Sequence, residues 1–312
     1  MKIGLDVLGG DYAPDSNIKG AIEAQKILED TQRIVLFGDE EAIRNALTAA
    51  GADPSKFDYV HAPEGISMHE HPTKAITQKP NSSIAKGFEL LKSGAIDSFS
   101  SAGNTGAMLV GAMFSVKTVP GVIRPAIATN VPKLKSGFGI LLDVGANADC
   151  KPEMLNQFAV LGSLYAEHVY GIPSPKVGLL NIGEEEEKGN NLTIATYPLL
   201  KENNKINFIG NAEGRDLFSD HADVVVCDGY TGNVVLKLAE SFYVVTLKKG
   251  IKDQFFDRFN YEQYGGSPIL GVNAPVIIGH GISTPEAIKN MVLLSRDMIA
   301  SQFVDKIKSA FN

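Results

Sequence analysis

The chain has 312 residues, 44% hydrophobic and 21% charged, so it can bury a large core and is not a disordered protein. Its 29 basic and 36 acidic side chains give a formal net charge of −7, which argues against broad nucleic-acid binding because phosphates require a basic face. Two cysteines without a CxxC spacing indicate a reduced, cytosolic enzyme. No secretory signal is expected, and the longest charge-free run, 263–285, contains too many prolines and glycines for a membrane span.

One pattern repeats along the chain: a short β-branched run, a loop of small residues, and a stretch with apolar residues at helical spacing. The predicted strands are, in chain order, 3–7, 33–37, 95–100, 138–142, 176–180, 206–209, 224–227 and 276–278. Alternation of this kind predicts parallel strands joined by helical crossovers, and hence a three-layer, doubly wound α/β fold with a mostly parallel sheet. The glycine-rich loops fall at the carboxyl ends of the strands, where open α/β sheets bind ligands.

Helix ends and domain organisation follow from local signals. The predicted caps are, in chain order, Asp15 or Ser16, Gly51, Asn81 or Ser82, Gly94, and Ser283 or Thr284. We expect a single α/β catalytic domain over 1–312. The irregular stretches 62–80 and 120–135 are the places where the chain would pass between two subdomains.

The loop over residues 101–106 is the best candidate for an anion site. The sequence contains no GxxxxGK[ST], GxGxxG or GxSxG motif. Glycine lets the backbone approach an anion, and the free N–H groups of a first helical turn point at it. Asn104 and Thr105 would add side-chain donors. The alternative is an ordinary strand-to-helix turn in which Gly and Asn only supply positive φ.

Four consecutive glutamates, 184–187, precede Lys188 and a predicted helix start near Asn190. A glutamate run is typical of a solvated surface. Lys188 is the functional candidate here, because an ammonium beside a helix start can bind phosphate or polarise a carbonyl group.

Other chemistry-bearing residues have simpler interpretations. The run 69–71 (His-Glu-His) resembles a metal cluster without a third ligand, so a loop role is favoured. Cys150 has no histidine partner in a recognisable motif, and a nucleophilic role is not expected. Four strand-end carboxylates could hold a divalent metal, although capping is favoured: Asp6, Asp11, Asp143 and Asp228. We expect no metal and no cofactor.

The segment 240–264 has the pattern of a basic amphipathic helix, weakened by Gly250. Its apolar positions are Val244, Leu247, Ile251, Phe255 and Phe259. Its basic positions are Lys248, Lys249, Lys252 and Arg258. Core or dimer packing is one interpretation; docking on an anionic membrane surface or an acidic protein is the other.

Short motifs spread along nearly the whole chain resemble one family. They lie at 9–11 (GGD), 101–107 (SAGNTGA), 142–147 (LDVGAN), 178–181 (GLLN), 188–190 (KGN), 207–211 (NFIGN), 228–233 (DGYTGN) and 264–266 (YGG). In this order they resemble the phosphate acyltransferases of bacterial phospholipid synthesis, the PlsX family, also described as acyl-carrier-protein:phosphate transacylases.

The resemblance implies a fold like the isopropylmalate-dehydrogenase and phosphotransacetylase group, and a homodimer. It implies that a long-chain acyl group bound to acyl carrier protein is transferred to inorganic phosphate. The product, acyl phosphate, feeds glycerol-3-phosphate acylation. It places Lys188 and Asn233 at the active site. A cytoplasmic location follows, with peripheral contact at the inner face of the membrane as an open alternative.

The site predicted on this basis needs no catalytic triad, because phosphate is itself the nucleophile and a thiolate leaves easily. Lys188 would stabilise phosphate or oxyanion, and Asn233 would donate at the reacting centre. Substrate and phosphate contacts are expected at Asp6, Gly9, Gly10, Gly103, Asn104, Thr105, Gly106, Asn147, Asn181, Asp228 and Gly232. The carrier protein or membrane would dock at Lys248, Lys249, Lys252 and Arg258.

Three rival functions remain open from the sequence. A phosphotransacetylase acting on short acyl-CoA shares the chemistry and differs in the donor. A metal-dependent decarboxylating dehydrogenase of similar architecture would need an aspartate cluster and a nicotinamide site. A non-catalytic anion-binding or scaffold protein would bind phosphate without thioester turnover.

Overall fold

The computed structural model describes residues 1–312, apart from the side chain of Tyr261. The chain forms two compact units: unit 1 contains residues 1–118 and 261–304, and unit 2 contains residues 119–260 and 305–312. Of the two irregular stretches in the sequence, 62–80 lies inside unit 1 and 120–135 begins where the chain enters unit 2.

The described elements are those of an α/β protein. The strands are β1 (Lys2–Asp6), β2 (Arg33–Gly38), β3 (Asp58–His61), β4 (Ser98–Ser101), β5 (Ala126–Pro132), β6 (Phe138–Leu142), β7 (Lys176–Asn181), β8 (Asn207–Glu213), β9 (Val224–Val226), β10 (Ser267–Leu270) and β11 (Val276–Ile278). The helices are α1 (Asp15–Gln25), α2 (Glu40–Ala49), α3 (Pro72–Gln78), α4 (Ser83–Ser93), α5 (Thr105–Gly111), α6 (Pro152–His168), α7 (Asn191–Glu202), α8 (Gly229–Lys249), α9 (Gln254–Asp257), α10 (Pro285–Ala300) and α11 (Phe303–Phe311).

In unit 1 the strands lie in the order β3-β2-β1-β4-β11-β10. The pairs from β3 to β11 are parallel, and β10 runs antiparallel to β11. Helix α1 packs against α10 and α4 against α5, and α4 and α10 rest on the sheet. The parallel strands therefore present the loops after β1, β4 and β11 at one sheet edge.

The core of unit 1 is built on an aromatic cluster. Phe99 makes edge-to-face contacts with Phe37 and Phe88, with ring centroids 5.3 Å apart in both pairs. A Cβ at Gly87 would lie 2.1 Å from the Phe99 ring, and one at Gly111 would lie 2.1 Å from Phe88. These glycines let the helices approach the rings closely, so the loop-bearing strands rest on a tightly packed base.

In unit 2 the order is β5-β6-β9-β7-β8. Strands β5 and β6 are antiparallel, and the other pairs are parallel. The buried helix α6 covers this sheet, and a Cβ at Gly162 would lie 2.6 Å from Val224. The prediction of a mostly parallel α/β fold is confirmed, and β5 and β10 add antiparallel pairs that the sequence pattern did not indicate.

Several helix ends match their sequence signals. Ser82 caps α4, and its hydroxyl accepts from the Ala85 N–H. Gly94 ends the same helix in the left-handed conformation, as predicted. The first helix differs from the prediction, since it starts at Asp15 with Pro14 as its N-cap residue and no side-chain cap.

The segment 240–264 is not one amphipathic helix, and that prediction is wrong. Helix α8 starts at Gly229 and ends at Lys249, where Gly250 adopts the left-handed conformation with φ 65°. Beyond this cap the phenylalanines form a local ring cluster, whereas Ile251 is exposed. Phe259 is buried and contacts Phe218 and Phe255 at centroid distances of 5.3 and 5.2 Å.

Candidate active site

In unit 1, Asp6 lies beneath the loops that follow β1 and β4. It is 1% exposed, and its carboxylate accepts hydrogen bonds from the Ser101 hydroxyl at 2.6 Å and the Leu8 N–H at 2.9 Å. Burial raises the pKa of Asp6, although these hydrogen bonds oppose the shift. Asp6 therefore shapes the loops from below rather than presenting its carboxylate to a ligand.

The loops after β1, β4 and β11 contact one another closely. A Cβ at Gly9 would lie 2.6 Å from the Gly103 nitrogen and 2.6 Å from the Ser101 hydroxyl. Gly10 has φ 102°, and the Asp11 N–H donates to the Gly281 carbonyl at 2.6 Å. The predicted phosphate loops 9–10 and 103–106 thus form one surface, and Gly9 is required by close approach.

Asn104 has both ends of its side chain occupied. Its oxygen accepts from the Ala107 N–H at 2.9 Å, which caps α5. Its nitrogen donates to the Ser67 and Glu70 carbonyls, both at 3.0 Å. The predicted donation to an anion therefore falls to the backbone, because Asn104 is used to hold the 67–70 turn against α5.

The first turn of α5 retains open donors. Thr105 and Gly106 occupy its first two positions, where N–H groups have no intrahelical acceptor, and no described residue outside the helix accepts from them. Thr105 is exposed, and the helical segment continues without a break through residue 116. This part of unit 1 can receive an anion through backbone N–H groups.

In unit 2, Asp143 follows directly after β6 and is fully buried. Its carboxylate accepts from the N–H groups of Ile127, Gly145, Ala146 and Asn147 at 2.7–3.2 Å, and from the Asn147 side chain at 2.9 Å. Burial raises its pKa, and the hydrogen bonds oppose that shift. The 143–147 loop therefore surrounds an anion that belongs to the protein itself.

Asn233 projects from α8 onto this loop. Its amide nitrogen donates to the Val144 carbonyl at 2.9 Å. A Cβ at Gly232 would lie 1.9 Å from the Asp143 carbonyl oxygen, so only glycine lets α8 approach so closely. Gly229 donates to the Asn147 carbonyl at 2.7 Å. The predicted residues Asn147, Gly232 and Asn233 therefore come together, and Asn233 is rigidly placed.

Lys188 lies on the exposed turn between β7 and α7. Its backbone N–H donates to the Glu185 carbonyl at 3.1 Å, and its carbonyl accepts from the Asn181 side chain at 3.0 Å. No described residue forms an ion pair or hydrogen bond with its ammonium group. The glutamates before it are exposed as predicted, and Glu184 and Glu186 form ion pairs with Arg215 and Lys201.

A cleft of about 690 Å³ in unit 2 separates the starts of α7 and α8. Its lining includes Cys150, Asn190, Thr231 and the carboxylates Asp149 and Asp228. Asp228 caps α8 by accepting from the Thr231 N–H and hydroxyl, both at 2.8 Å. Because both charged lining groups are anionic, this cleft suits a neutral polar group better than phosphate.

Neither cysteine is prepared as a nucleophile. Burial, reinforced by the Asp143 charge, raises the pKa of Cys150 to about 12, and its thiol faces the Asn147 carbonyl at 3.6 Å. Burial also raises the pKa of Cys227 well above its usual value. Both thiols therefore remain protonated near neutral pH.

Residues 69–71 belong to a turn that is stabilised by hydrogen bonds of the Glu70 side chain. The Glu70 carboxylate accepts from the Lys79 ammonium at 2.8 Å and from the Ser67 N–H at 2.6 Å, which lowers its pKa. His69 and His71 are exposed. Across the described residues, no three His, Cys, Asp or Glu side chains are grouped as metal ligands.

The predicted docking residues separate into two kinds. Lys248, Lys249 and Lys252 are exposed near the end of α8. Arg258 was predicted as a docking residue, but its guanidinium donates to the Lys133 carbonyl at 2.7 Å and to the Gly137 carbonyl. Arg258 thus fastens its own segment to the β5–β6 turn. None of the described helices combines the length and the apolar composition that a membrane-spanning helix requires.

Two supporting interactions were missed in the sequence. Ser101 holds both Asp6 and the Gly103 N–H, and Thr193 forms a capping box with Asn190 at the start of α7. The capping box could have been found from the N-x-x-T spacing. The contact of Ser101 with Asp6 spans 95 residues, and no local pattern indicates it.

Comparison with known proteins identifies the family. The family model described as "Fatty acid synthesis protein" matches residues 1–306. The phosphate acyltransferase of Dictyoglomus turgidum is 44% identical, covering 100% of this chain and 98% of that protein. The phosphate acyltransferase of Desulforamulus reducens is 45% identical, covering 99% of this chain and 97% of that protein.

Solved structures show the same fold at low identity. A phosphotransacetylase from Streptococcus pyogenes has a TM-score of 0.69 at 17% identity, covering 98% of this chain and 94% of that one. The EutD phosphotransacetylase from Staphylococcus aureus has a TM-score of 0.66 at 17% identity, covering 97% and 94%. The chain belongs to the phosphate acyltransferase family of fatty acid and phospholipid synthesis, and it is an enzyme of that type.

Proposed function

We propose that this phosphate acyltransferase takes a long-chain acyl group from acyl carrier protein. The acyl group would pass to inorganic phosphate, with acyl phosphate and the free carrier thiol as products. One C–S bond breaks, one C–O bond forms, and the thiolate leaves with the electron pair. The product would serve phospholipid synthesis.

The observation that carries a direct mechanism is the state of Cys150. Its thiol lines the unit 2 cleft, but with a pKa of about 12 it is protonated near pH 7. A protonated thiol is a poor nucleophile, so an acyl-cysteine intermediate is not favoured. Phosphate is partly dianionic at this pH and can attack the thioester carbonyl without a general base. Catalysis then depends on positioning and on stabilising the oxyanion.

We assign phosphate binding to the backbone of residues 103–106. The N–H groups of Thr105 and Gly106 have no acceptor among the described residues, and the neighbouring Gly9 and Gly10 keep this surface open to close approach. Bound phosphate would accept hydrogen bonds from these N–H groups and would lie at the positive end of the helix dipole.

We assign charge stabilisation to Lys188 and hydrogen bonding to Asn233. The Lys188 ammonium is exposed and free of ion pairs with described residues, so its charge is available to phosphate or to the oxyanion. The Val144 carbonyl takes one N–H of the Asn233 amide, which fixes the side chain and leaves the second N–H for the substrate.

A homodimer with peripheral membrane contact is the second part of the proposal. Helix α8 exposes Tyr230, Val234, Leu238 and Val245, whose spacing places them along one helix face. A stripe of this kind fits packing against a second copy or contact with a lipid surface. Lys248, Lys249 and Lys252 would attract the acidic carrier protein, so higher ionic strength should raise the KM for the carrier more than it lowers kcat.

The test is thiol release from palmitoyl carrier protein with and without phosphate, with hydroxylamine to trap acyl phosphate. Phosphate-dependent release with a trapped hydroxamate is expected. Release from short acyl-CoA alone would instead indicate a phosphotransacetylase. No thiol release from either donor would contradict the proposed function and favour a non-catalytic anion-binding protein.

A further inference from the structure

We infer that Asn211, a buried residue of β8, is a positioning residue for Lys188. The inference rests on the proposed role of Lys188 in the reaction. Asn211 is 3% exposed, and its amide nitrogen donates to the Glu185 carbonyl at 2.8 Å. The same carbonyl accepts the Lys188 N–H at 3.1 Å, so the two donors meet at one oxygen of the turn.

A β-bulge directs Asn211 to this position. In the β7–β8 pair, Val177 lies opposite Phe208, but Leu179 lies opposite Asn211, so β8 contains one extra residue there. Gly210 supplies the bulge with φ 97°. Without the extra residue, strand alternation would turn Asn211 to the opposite face of the sheet.

The bulge also aligns Asn211 with Asn181. The next register pair on this face is Asn181 opposite Glu213, so the two asparagines share one face at the carboxyl ends of neighbouring strands. Asn181 donates to the Lys188 carbonyl at 3.0 Å while Asn211 donates to the Glu185 carbonyl. The 185–188 turn is therefore held at both of its ends by amides that are mounted on the sheet.

The unpaired amide oxygen of Asn211 supports the view that this residue is present for its amide nitrogen, which donates a hydrogen bond. Its Oδ1 is buried and accepts no hydrogen bond from a described residue. A buried unpaired carbonyl oxygen is unfavourable, so the amide is kept at a cost to stability. The Glu185 carbonyl can only accept, which requires the amide nitrogen to face it.

The ion pairs of the same turn contribute less. In both Glu184–Arg215 and Glu186–Lys201, each side chain is more than half exposed. Exposed pairs are weak and are screened by salt. The buried Asn211 bond is the stronger restraint on the backbone that carries Lys188, and a fixed backbone lowers the reorganisation needed to place the ammonium group.

The test compares Asn211→Leu, which has nearly the same shape but no donor, with Asn130→Leu. Asn130 is a matched control because its amide donates one bond, to the Tyr170 hydroxyl at 2.8 Å, and its Oδ1 is also buried and unpaired. We expect Asn211→Leu to lower kcat about tenfold with the KM for acyl carrier protein within about twofold. Asn130→Leu should change kcat by less than about twofold.

A double-mutant cycle separates positioning from general damage. In a Lys188→Ala background, Asn211→Leu should cause no further loss of kcat beyond about twofold, because its target is gone. A full tenfold loss in that background, or an unchanged kcat in the single variant, would overturn the inference. Asn211→Ala, which leaves a smaller side chain, repeats the comparison if the leucine variant does not fold.

Hydrogen exchange provides a readout that does not need turnover. Amides of peptides over residues 183–190 should exchange faster in Asn211→Leu than in wild type, and at the wild-type rate in Asn130→Leu. Equal exchange rates in all three proteins would overturn the inference that Asn211 holds the 185–188 turn. If the wild-type protein makes no acyl phosphate, the proposed function fails, whereas the exchange data still decide whether Asn211 holds the turn.

Discussion

The loops after β4 in unit 1 and after β6 in unit 2 share small residues and asparagine, but their backbone N–H groups differ in whether they have an acceptor. Both follow a buried strand, contain glycine and asparagine, and are rich in backbone donors. In unit 2 the Asp143 carboxylate takes the N–H groups of Gly145, Ala146 and Asn147. In unit 1 the N–H groups of Thr105 and Gly106 have no acceptor among the described residues.

The difference lies in where the internal carboxylate is placed. Asp143 is the first residue of its loop and turns back into it, whereas Asp6 belongs to a different strand and is occupied by Ser101 and Leu8. A ring of backbone donors can therefore be filled by the protein or left for a ligand. The filled loop supports Asn233, and the open loop is the one suited to phosphate.

The largest effect is expected from removing the Asp143 carboxylate, which accepts the backbone N–H groups of the 143–147 loop. Asp143→Ala leaves several buried N–H groups without an acceptor, and should lower the free energy of unfolding by about 3 kcal/mol or more. Urea unfolding followed by circular dichroism measures this. Asp11→Ala, which removes an exposed strand-end carboxylate, is the control and should change stability by less than about 0.5 kcal/mol. Equal effects of the two substitutions would remove the distinction between the loops.

The next effect concerns the charge that neither loop supplies. Lys188→Ala should lower kcat by on the order of 10²–10³, comparable to the loss of one oxyanion donor. The ammonium has no structural partner among the described residues, so the thermal midpoint should not change. A folded Lys188→Ala protein with near-normal turnover would show that the backbone donors suffice.

A smaller effect should follow from removing one donor of the open loop. Thr105→Pro deletes the backbone N–H at the first helical position, where proline is tolerated, and Asn104 already has the extended backbone that precedes proline. The KM for phosphate should rise about 10–100-fold, the value of a hydrogen bond to a charged group. Thr105→Ala keeps the N–H and serves as the control. If the two variants give the same KM, phosphate does not bind through this backbone.

The smallest effect is expected at Cys150. Cys150→Ser should keep kcat within about twofold, because the protonated thiol takes no part in direct transfer. With a pKa of about 12, thiolate increases with pH well beyond the range where an ordinary cysteine is fully ionised. Alkylation of Cys150 by iodoacetamide should therefore still accelerate between pH 9.5 and about 11. A rate that levels off by about pH 10 would indicate a normal, reactive thiol.

Much of the fold was predictable because buried parallel strands consist of β-branched runs. Strands β6 and β11 occupy the residues predicted for them. Strands β3, β5 and β10 were not recognised. Asn130 and Pro268 interrupt the apolar pattern of β5 and β10, and antiparallel pairing supports those two strands. Gly250 was recognised as a weak point in a helix, whereas it is the end of the helix.

The members of the candidate site stay predictions, and the contacts that the structure gives them could not be inferred from the sequence alone. Lys188 was found as a lone cation at a helix start, and its exposure agrees with that. The side chain of Asn104 reaches Ser67 and Glu70, more than 30 residues away in sequence, so its occupation could not be inferred locally. The 143–147 loop is filled by its own first residue, Asp143, which is a local contact. The occupation of the Asn104 side chain instead depends on distant contacts, which no local pattern indicates.

The most direct test of direct transfer is a single-turnover measurement of thiol release. Enzyme and palmitoyl carrier protein are mixed at equal concentrations without phosphate, and phosphate is added later. Direct transfer predicts no thiol burst before phosphate is added and immediate thiol release after it. A burst of about one thiol per chain without phosphate, with an acyl group attached to the protein, would contradict it.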